Sequence, residues 1–252
     1  MTELQKANFW KRITAGLFDA ILTAILAVGF GFLLSLLLNY NAYNDALEAG
    51  YARYEEQYGV TFRLSQEEMQ AQTEAEREAY MAAYNALIAD KEVLYNYNMT
   101  INLTMIVTTF SILISMVLTE FVVPLLFGNG QTLGKKIFGL ALMRNDSVRM
   151  NNLQLFTRMI LGKYAVGTMI PVYILLMVFL GLMDITGTFV LFLLLLAQCV
   201  CFLATRNRSL LHDLMAGTVV VDFATQQIFS STEDLIKYQK QVAAERAARA
   251  DY

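Results

Sequence analysis

Six residues of this chain have types and spacings suited to holding or moving charge: Arg12, Asp19, Glu120, Arg158, His212 and Asp213. Asp19 and Glu120 fall inside long apolar stretches. A charged side chain in hydrocarbon costs roughly 2.5–3.5 kcal/mol on insertion scales, so each carboxylate there is a functional candidate. Arg12 precedes Asp19 by seven residues, two helical turns, which puts both on one face about 10 Å apart along the axis, too far for direct contact. Glu120 precedes Gly128, where its stretch ends, by eight residues, roughly 12 Å of helix, so Asp19 and Glu120 should lie at similar depth. Two readings follow: ion pairs with Arg12, Arg158 or Lys163 that only fix packing, or a proton or monovalent-cation pathway. His212 is the single histidine and neighbours Asp213; its ordinary pKa near 6.5 suits proton passing, and a satisfied interfacial histidine is the alternative.

The elements that must position these groups are membrane helices. Of the 252 residues, 56% are hydrophobic and 16% charged, too little polar surface for a soluble globule, whose charged share is nearer 25%. Apolar stretches cover about 13–38, 99–127, 160–183 and 186–205, each long enough for the roughly 20 helical residues that cross about 30 Å of hydrocarbon. A soluble bundle would need a polar stripe on every helix, and Phe189 to Leu196 has none. The expected fold is therefore all-α: a polytopic membrane protein with four transmembrane helices. Small residues at Gly16, Ala20 and Ala24, then at Ala27, Gly31 and Ser35, would let the first helix approach a neighbour closely and bury Asp19.

Basic residues set the expected orientation. Lys6, Lys11 and Arg12; Lys135, Lys136, Arg144, Arg149, Arg158 and Lys163; and Arg206, Arg208, Lys237, Lys240, Arg246 and Arg249 fall in three segments that would be cytoplasmic. Residues 39–98 hold eleven acidic and four basic residues, as expected of an exported segment. Apolar periodicity there predicts helix, with 39–58 continuing the first span outward, 59–64 as a break, and Ser65 to Glu68 as a capping box opening a returning helix. Its nine tyrosines serve hairpin packing and an interfacial belt, or a partner-binding surface. The expected organisation is 1–38, N-terminus and first span; 39–98, exported helical hairpin; 99–222, membrane bundle with cytoplasmic amphipathic segments; and 223–252, cytoplasmic helical tail.

Other signals are weak. Gly128-Asn129-Gly130-Gln131-Thr132-Leu133-Gly134-Lys135-Lys136 lacks the spacing and preceding strand of a nucleotide loop. Thr132 reads as the N-cap of a helix over 133–140, with Leu133, Ile137 and Leu140 towards lipid headgroups and Lys135 and Lys136 on anionic lipid. Cys199 and Cys201 are two apart in an apolar run, on different helix faces, which excludes a disulfide or metal pair. No hydrolase or metalloprotease signature occurs, so no enzyme, cofactor, metal or nucleic-acid partner is expected.

Arg12-x-x-Ala15-x-x-x-Asp19, Gly130-Gln131-Thr132-Leu133-Gly134-Lys135, Arg158 and Leu211-His212-Asp213-x-x-Ala216-Gly217-Thr218-x-Val220 together resemble the RDD family of bacterial membrane proteins. The family is named for one arginine and two aspartates, which map here to Arg12, Asp19 and Asp213. The resemblance covers about 9–38 and 99–222; the connection at 39–98 is usually short in the family. It implies a location in the bacterial inner membrane and a role in ion/proton exchange. Four spans are few for a monomeric transporter, so a homo-oligomer is expected; the alternative is a non-transporting membrane subunit whose hairpin or tail recruits a protein partner.

Overall fold

The computed structural model describes residues 7–179, 185–205 and 209–250. The junction of the third and fourth apolar stretches in the sequence, and Lys6, Arg206 and Arg208 among the basic residues, lie outside the described residues.

Helix α1 (Phe9–Leu37) is built inside out relative to a soluble helix: its buried residues are Ala15 and Asp19, while Leu17, Ile25, Val28 and Leu37 are exposed. Apolar side chains outward and a carboxylate inward is the arrangement hydrocarbon solvent selects. Among the described residues, three helices are long and apolar enough to cross a membrane, Phe9–Leu37, Lys91–Phe127 and Asn152–Val178, and Ile185–Cys201 is a shorter apolar helix.

The chain divides into two units, residues 27–112 and residues 1–26 with 113–252. In the first, α2 (Tyr40–Tyr58) begins after Asn39, whose left-handed backbone (φ 54) interrupts the helix expected to continue out of α1. Asn adopts that conformation more readily than most residues, because its short amide bonds locally. The capping box at Ser65 and Glu68 opens α3 (Gln66–Ala71) as expected. A second one, Thr73 with Glu76, starts α4 (Glu74–Ala89). Leu47, Leu87 and Val93 form the core between these helices and the start of α5 (Lys91–Val117).

In the second unit α5 passes through a π-helical turn, Leu118–Val122, into α6 (Val123–Phe127). A short α7 (Leu133–Ile137) leads to strand β1 (Leu140–Arg144). Then α8 (Asn152–Thr157), a π-helical segment Arg158–Met169 and α9 (Ile170–Phe179) make one long rod, followed by α10 (Ile185–Ala204), α11 (Leu211–Ala216), strand β2 (Thr218–Asp222) and α12 (Thr232–Ala250).

The strands correct the all-α expectation. β1 and β2 pair antiparallel, Leu140 opposite Asp222 and Leu142 opposite Val220. Both faces are covered: Leu140, Leu142 and Val220 pack with Ala15, and Ala141, Met143, Val219 and Val221 pack with Ile228. A strand buried on both sides shows no alternation, so its sequence reads as a helix end or a plain apolar run. The helix expected over 133–140 accordingly stops at Ile137, and Gly139 (φ +67) turns the chain into β1. Leu140 is fully buried instead of facing headgroups. Beyond β2, Phe229, Leu235 and Tyr238 pack with Val148 and hold the start of the tail helix.

Candidate functional site

The Asp19 carboxylate meets the N-terminus of α7. Thr132, the N-cap, holds its side chain ready by accepting from the Lys135 N–H (3.3 Å). Its hydroxyl donates to Asp19 Oδ2 in a short hydrogen bond, and the Gly134 N–H donates to Asp19 Oδ1 at 2.8 Å. A helix N-terminus offers unpaired N–H groups and a partial positive charge, so a carboxylate there is satisfied by neutral donors. Position 134 must be glycine for this approach, because a Cβ would collide with the Ala15 carbonyl and lie 2.9 Å from Asp19 Oδ1. Gln131 locks the preceding loop to the sheet, its Nε2 donating to the Leu140 carbonyl at 2.5 Å.

Lys135 does not reach out to lipid, contrary to expectation. It is buried, its Nζ donating to Thr132 Oγ1 at 3.1 Å and lying 3.9 Å from Asp19 Oδ2. Burial, reinforced by the Lys163 charge, pulls its amine down to about 8 despite Glu120 nearby. Lys136 instead lies 3.7 Å from the centre of the Phe127 ring.

Two further pairs surround this one. Glu120, on the π-helical turn, takes a short salt bridge from Lys163. Asp213, fully buried, accepts from Arg158 Nε (2.9 Å) and from the neighbouring guanidinium nitrogen (2.7 Å), with Arg12 at 3.6 Å. Burial alone would raise the Asp213 carboxyl; Arg158, with His212 and Arg12, outweighs it and holds the group well below the carboxylate range. His212 sits 3.7 Å from the same carboxylate. Burial, then the Arg158 charge, lowers its imidazole to about 3, so it is neutral near pH 7 and not an imidazolium there.

The π-helical geometry makes this convergence possible. Arg158 and Lys163 are five residues apart, about 140° around an α-helix. In a π-helix a bond from i to i+5 closes one turn, so the two fall near one face. The Ile170 N–H bonds the Ala165 carbonyl and the Thr168 hydroxyl bonds the Lys163 carbonyl, both five residues back. Gly162 keeps α11 against this face: a Cβ there would lie 2.6 Å from the His212 Cα. On the other side Thr23 and Thr119 hydroxyls meet at 2.9 Å.

Of the six residues singled out by sequence, Arg12, Arg158, His212 and Asp213 form one cluster. Asp19 and Glu120 take lysine partners of their own. Thr132 and Lys135 complete the site; the sequence signals for them were the capping position and the Gly130 to Lys135 stretch of the family resemblance. A cavity of about 690 Å³ opens beside Lys135, Arg158 and Asp213. Gly16 and Ala20 line it, and nothing lies within 4 Å of a Cβ built on Gly16, so this part of the small-residue stripe packs no neighbour. Gly31 does, with Ser111 Cβ at 3.8 Å. Among the described residues, no group of three His, Cys, Asp or Glu side chains could hold a metal ion.

Span-length apolar helices that turn their charges inward onto one another define a helical membrane protein with an internal charge cluster. The sequence model of the RDD family matches residues 6–217, and the chain belongs to the RDD family. Comparison with curated proteins and with solved structures gives no match.

Proposed function

We propose that this chain is a four-span protein of the bacterial inner membrane, both termini cytoplasmic and 39–98 an exported helical hairpin, that exchanges a monovalent cation for a proton. One observation carries the reading: a buried lysine ammonium stands where a metal cation would stand, bonded to Thr132 Oγ1 and 3.9 Å from Asp19 Oδ2. The amine at about 8 loses its proton within the physiological range. Asp19 then faces a neutral amine in low dielectric, and a monovalent cation restores the balance, taking the lone pair of Thr132 Oγ1 that Lys135 vacates. One proton leaves for each cation bound, so the charge of the site is unchanged. The Gly134 N–H and the Thr132 hydroxyl hold the carboxylate in place in both states. Glu120 with Lys163, and Asp213 with Arg158 and Arg12, keep the remaining charge of the cluster fixed. A homo-oligomer would supply the helices that four spans lack.

A second reading, a non-transporting membrane subunit that recruits a protein through its hairpin or tail, is favoured by the fact that Asp19, Glu120 and Asp213 each already have a cationic partner.

Melting temperature of the detergent-solubilised protein in Na⁺, K⁺, Li⁺ or choline, from about pH 6 to 9, separates the two. Exchange predicts stabilisation by one metal cation that grows as pH rises through about 8, vanishes in Asp19→Asn and loses its pH dependence in Lys135→Gln. A wild-type protein indifferent to every cation leaves the subunit reading in its place.

A further inference from the structure

A second cavity, of about 730 Å³, lies wholly within residues 48–97. That volume is in the range of small-molecule sites, roughly 300–1,000 Å³. Its walls are aromatic and set at steep angles: Tyr51 and Phe62 have ring centres 5.9 Å apart at 61°, and Phe62 and Tyr80 are 5.7 Å apart at 68°. Tyr84 and Tyr97 complete the lining, and Leu87 and Val93 form a buried floor. The box is held open by the chain around it. Gly59 (φ +66) ends α2, the Val60 N–H bonds the Glu55 carbonyl at 3.1 Å, and the Phe62 N–H donates to Glu55 Oε1 at 2.7 Å. These contacts set the Phe62 ring before any ligand arrives, which lowers the ordering cost of binding.

We propose that this aromatic box binds an organic monocation, a quaternary or aryl-substituted ammonium. Ring faces carry negative charge density, and rings set at steep angles around one space can meet a cation from more than one side, as cation–π contacts that replace a cation's water require. The polar lining has the same sign: Glu48 and Glu55 are carboxylates, and Arg63, their basic neighbour, is mostly exposed and spends its charge on Glu48. Residues 39–98 carry a surplus of acidic over basic residues, eleven against four, so the field around the cavity attracts cations and repels anions. Burial, then Tyr97 and Glu48, raise the Tyr51 phenol above its ordinary value, a sign that the pocket resists added negative charge. A neutral apolar ligand would gain the area but not the charge. The site is independent of the exchange proposed at Asp19.

The probe is benzyltrimethylammonium, titrated calorimetrically into the full chain in neutral detergent, beside its uncharged isostere neopentylbenzene and the anion benzenesulfonate. The cation should bind at one site per chain, at least about tenfold more tightly than the isostere, with no binding of the anion. Tyr80→Leu should weaken it about two- to thirtyfold while Tyr80→Trp, which keeps a π face, retains it. Arg63→Gln, by freeing Glu48, should tighten it. Equal binding of the isostere would make the cavity a plain apolar groove and overturn the proposal. So would an unchanged affinity in Tyr80→Leu, or the absence of saturable cation binding in the folded wild-type protein. A change of oligomeric state in Tyr80→Leu without cation binding in wild type would mark the patch as a surface between copies, and overturn it too.

Discussion

Replacing Asp213 by Asn removes the anion that two guanidiniums share, with almost no change in shape. Arg158 is 3% exposed and cannot move its charge to bulk water. Removing one partner of a buried pair costs about 3–5 kcal/mol, because the other charge stays behind in low dielectric. Arg158, which donates both close hydrogen bonds to Asp213, is the charge left behind, so that range applies here. For a chain of this size each kcal/mol shifts the melting temperature by about 2–4 °C, giving a loss of about 6–20 °C in detergent. The pH dependence follows from the sign of the Asp213 shift. Its folded carboxyl is held below the usual range, so its contribution is fully present above the unfolded value near 4 and is lost as pH falls through the folded one. The gap between wild type and Asp213→Asn should therefore be flat from about pH 5 to 8 and close on further acidification. Removing both charges, in Asp213→Leu with Arg158→Leu, should recover most of the loss. A single mutant melting within about 2 °C of wild type, or a gap that widens in acid, would refute the reasoning.

Gly162→Ala should be as damaging as a charge mutation, since its Cβ drives into the His212 backbone; overpacking of about 1–3 kcal/mol or more would be read as a lower melting temperature, and Ala at the open Gly16 should be tolerated. Lys135→Gln tests the buried amine. With the folded value at about 8 and the unfolded one near 10.4, the unfolded chain binds more protons between them, so wild type should gain about 3 kcal/mol on the variant as pH rises through that window. Reporter fusions test orientation: a fusion after Met69 should be exported, and fusions after Arg149 and Lys240 should remain cytoplasmic. An exported tail would exclude four spans.

The span-length helices and the two intramembrane carboxylates were legible because hydrocarbon makes both conspicuous: long apolar runs have few other uses, and Asp19 and Glu120 stand out within them. Lys163 was among the cations weighed as partners and pairs with Glu120; the partner of Asp19 was not foreseen. Lys135 lies on a stretch whose Leu133, Ile137 and Leu140 have amphipathic spacing, which points the lysine at lipid so long as the helix runs on. Pairing of β1 with β2 ends it at Ile137 and buries the lysine, and a strand partner so distant in sequence leaves no local trace. The π-helical segment is equally silent, yet it decides that Arg158 and Lys163 share a face. Capping was readable throughout: Ser65 and Thr132 act as their types imply, and Thr73 with Glu76 carries the same signature. The interruption at Asn39 was a conformation that Asn permits without requiring.

Exchange itself is tested most directly in liposomes holding the purified protein and an internal pH dye, with a proton gradient imposed and Na⁺, K⁺ or Li⁺ added outside. The account predicts that at least one of these cations dissipates the gradient, that clamping the membrane potential leaves the rate unchanged because one proton leaves per cation, and that Asp19→Asn abolishes the response while remaining folded. A gradient untouched by every cation with wild-type protein, or dissipated equally well by Asp19→Asn, would contradict it.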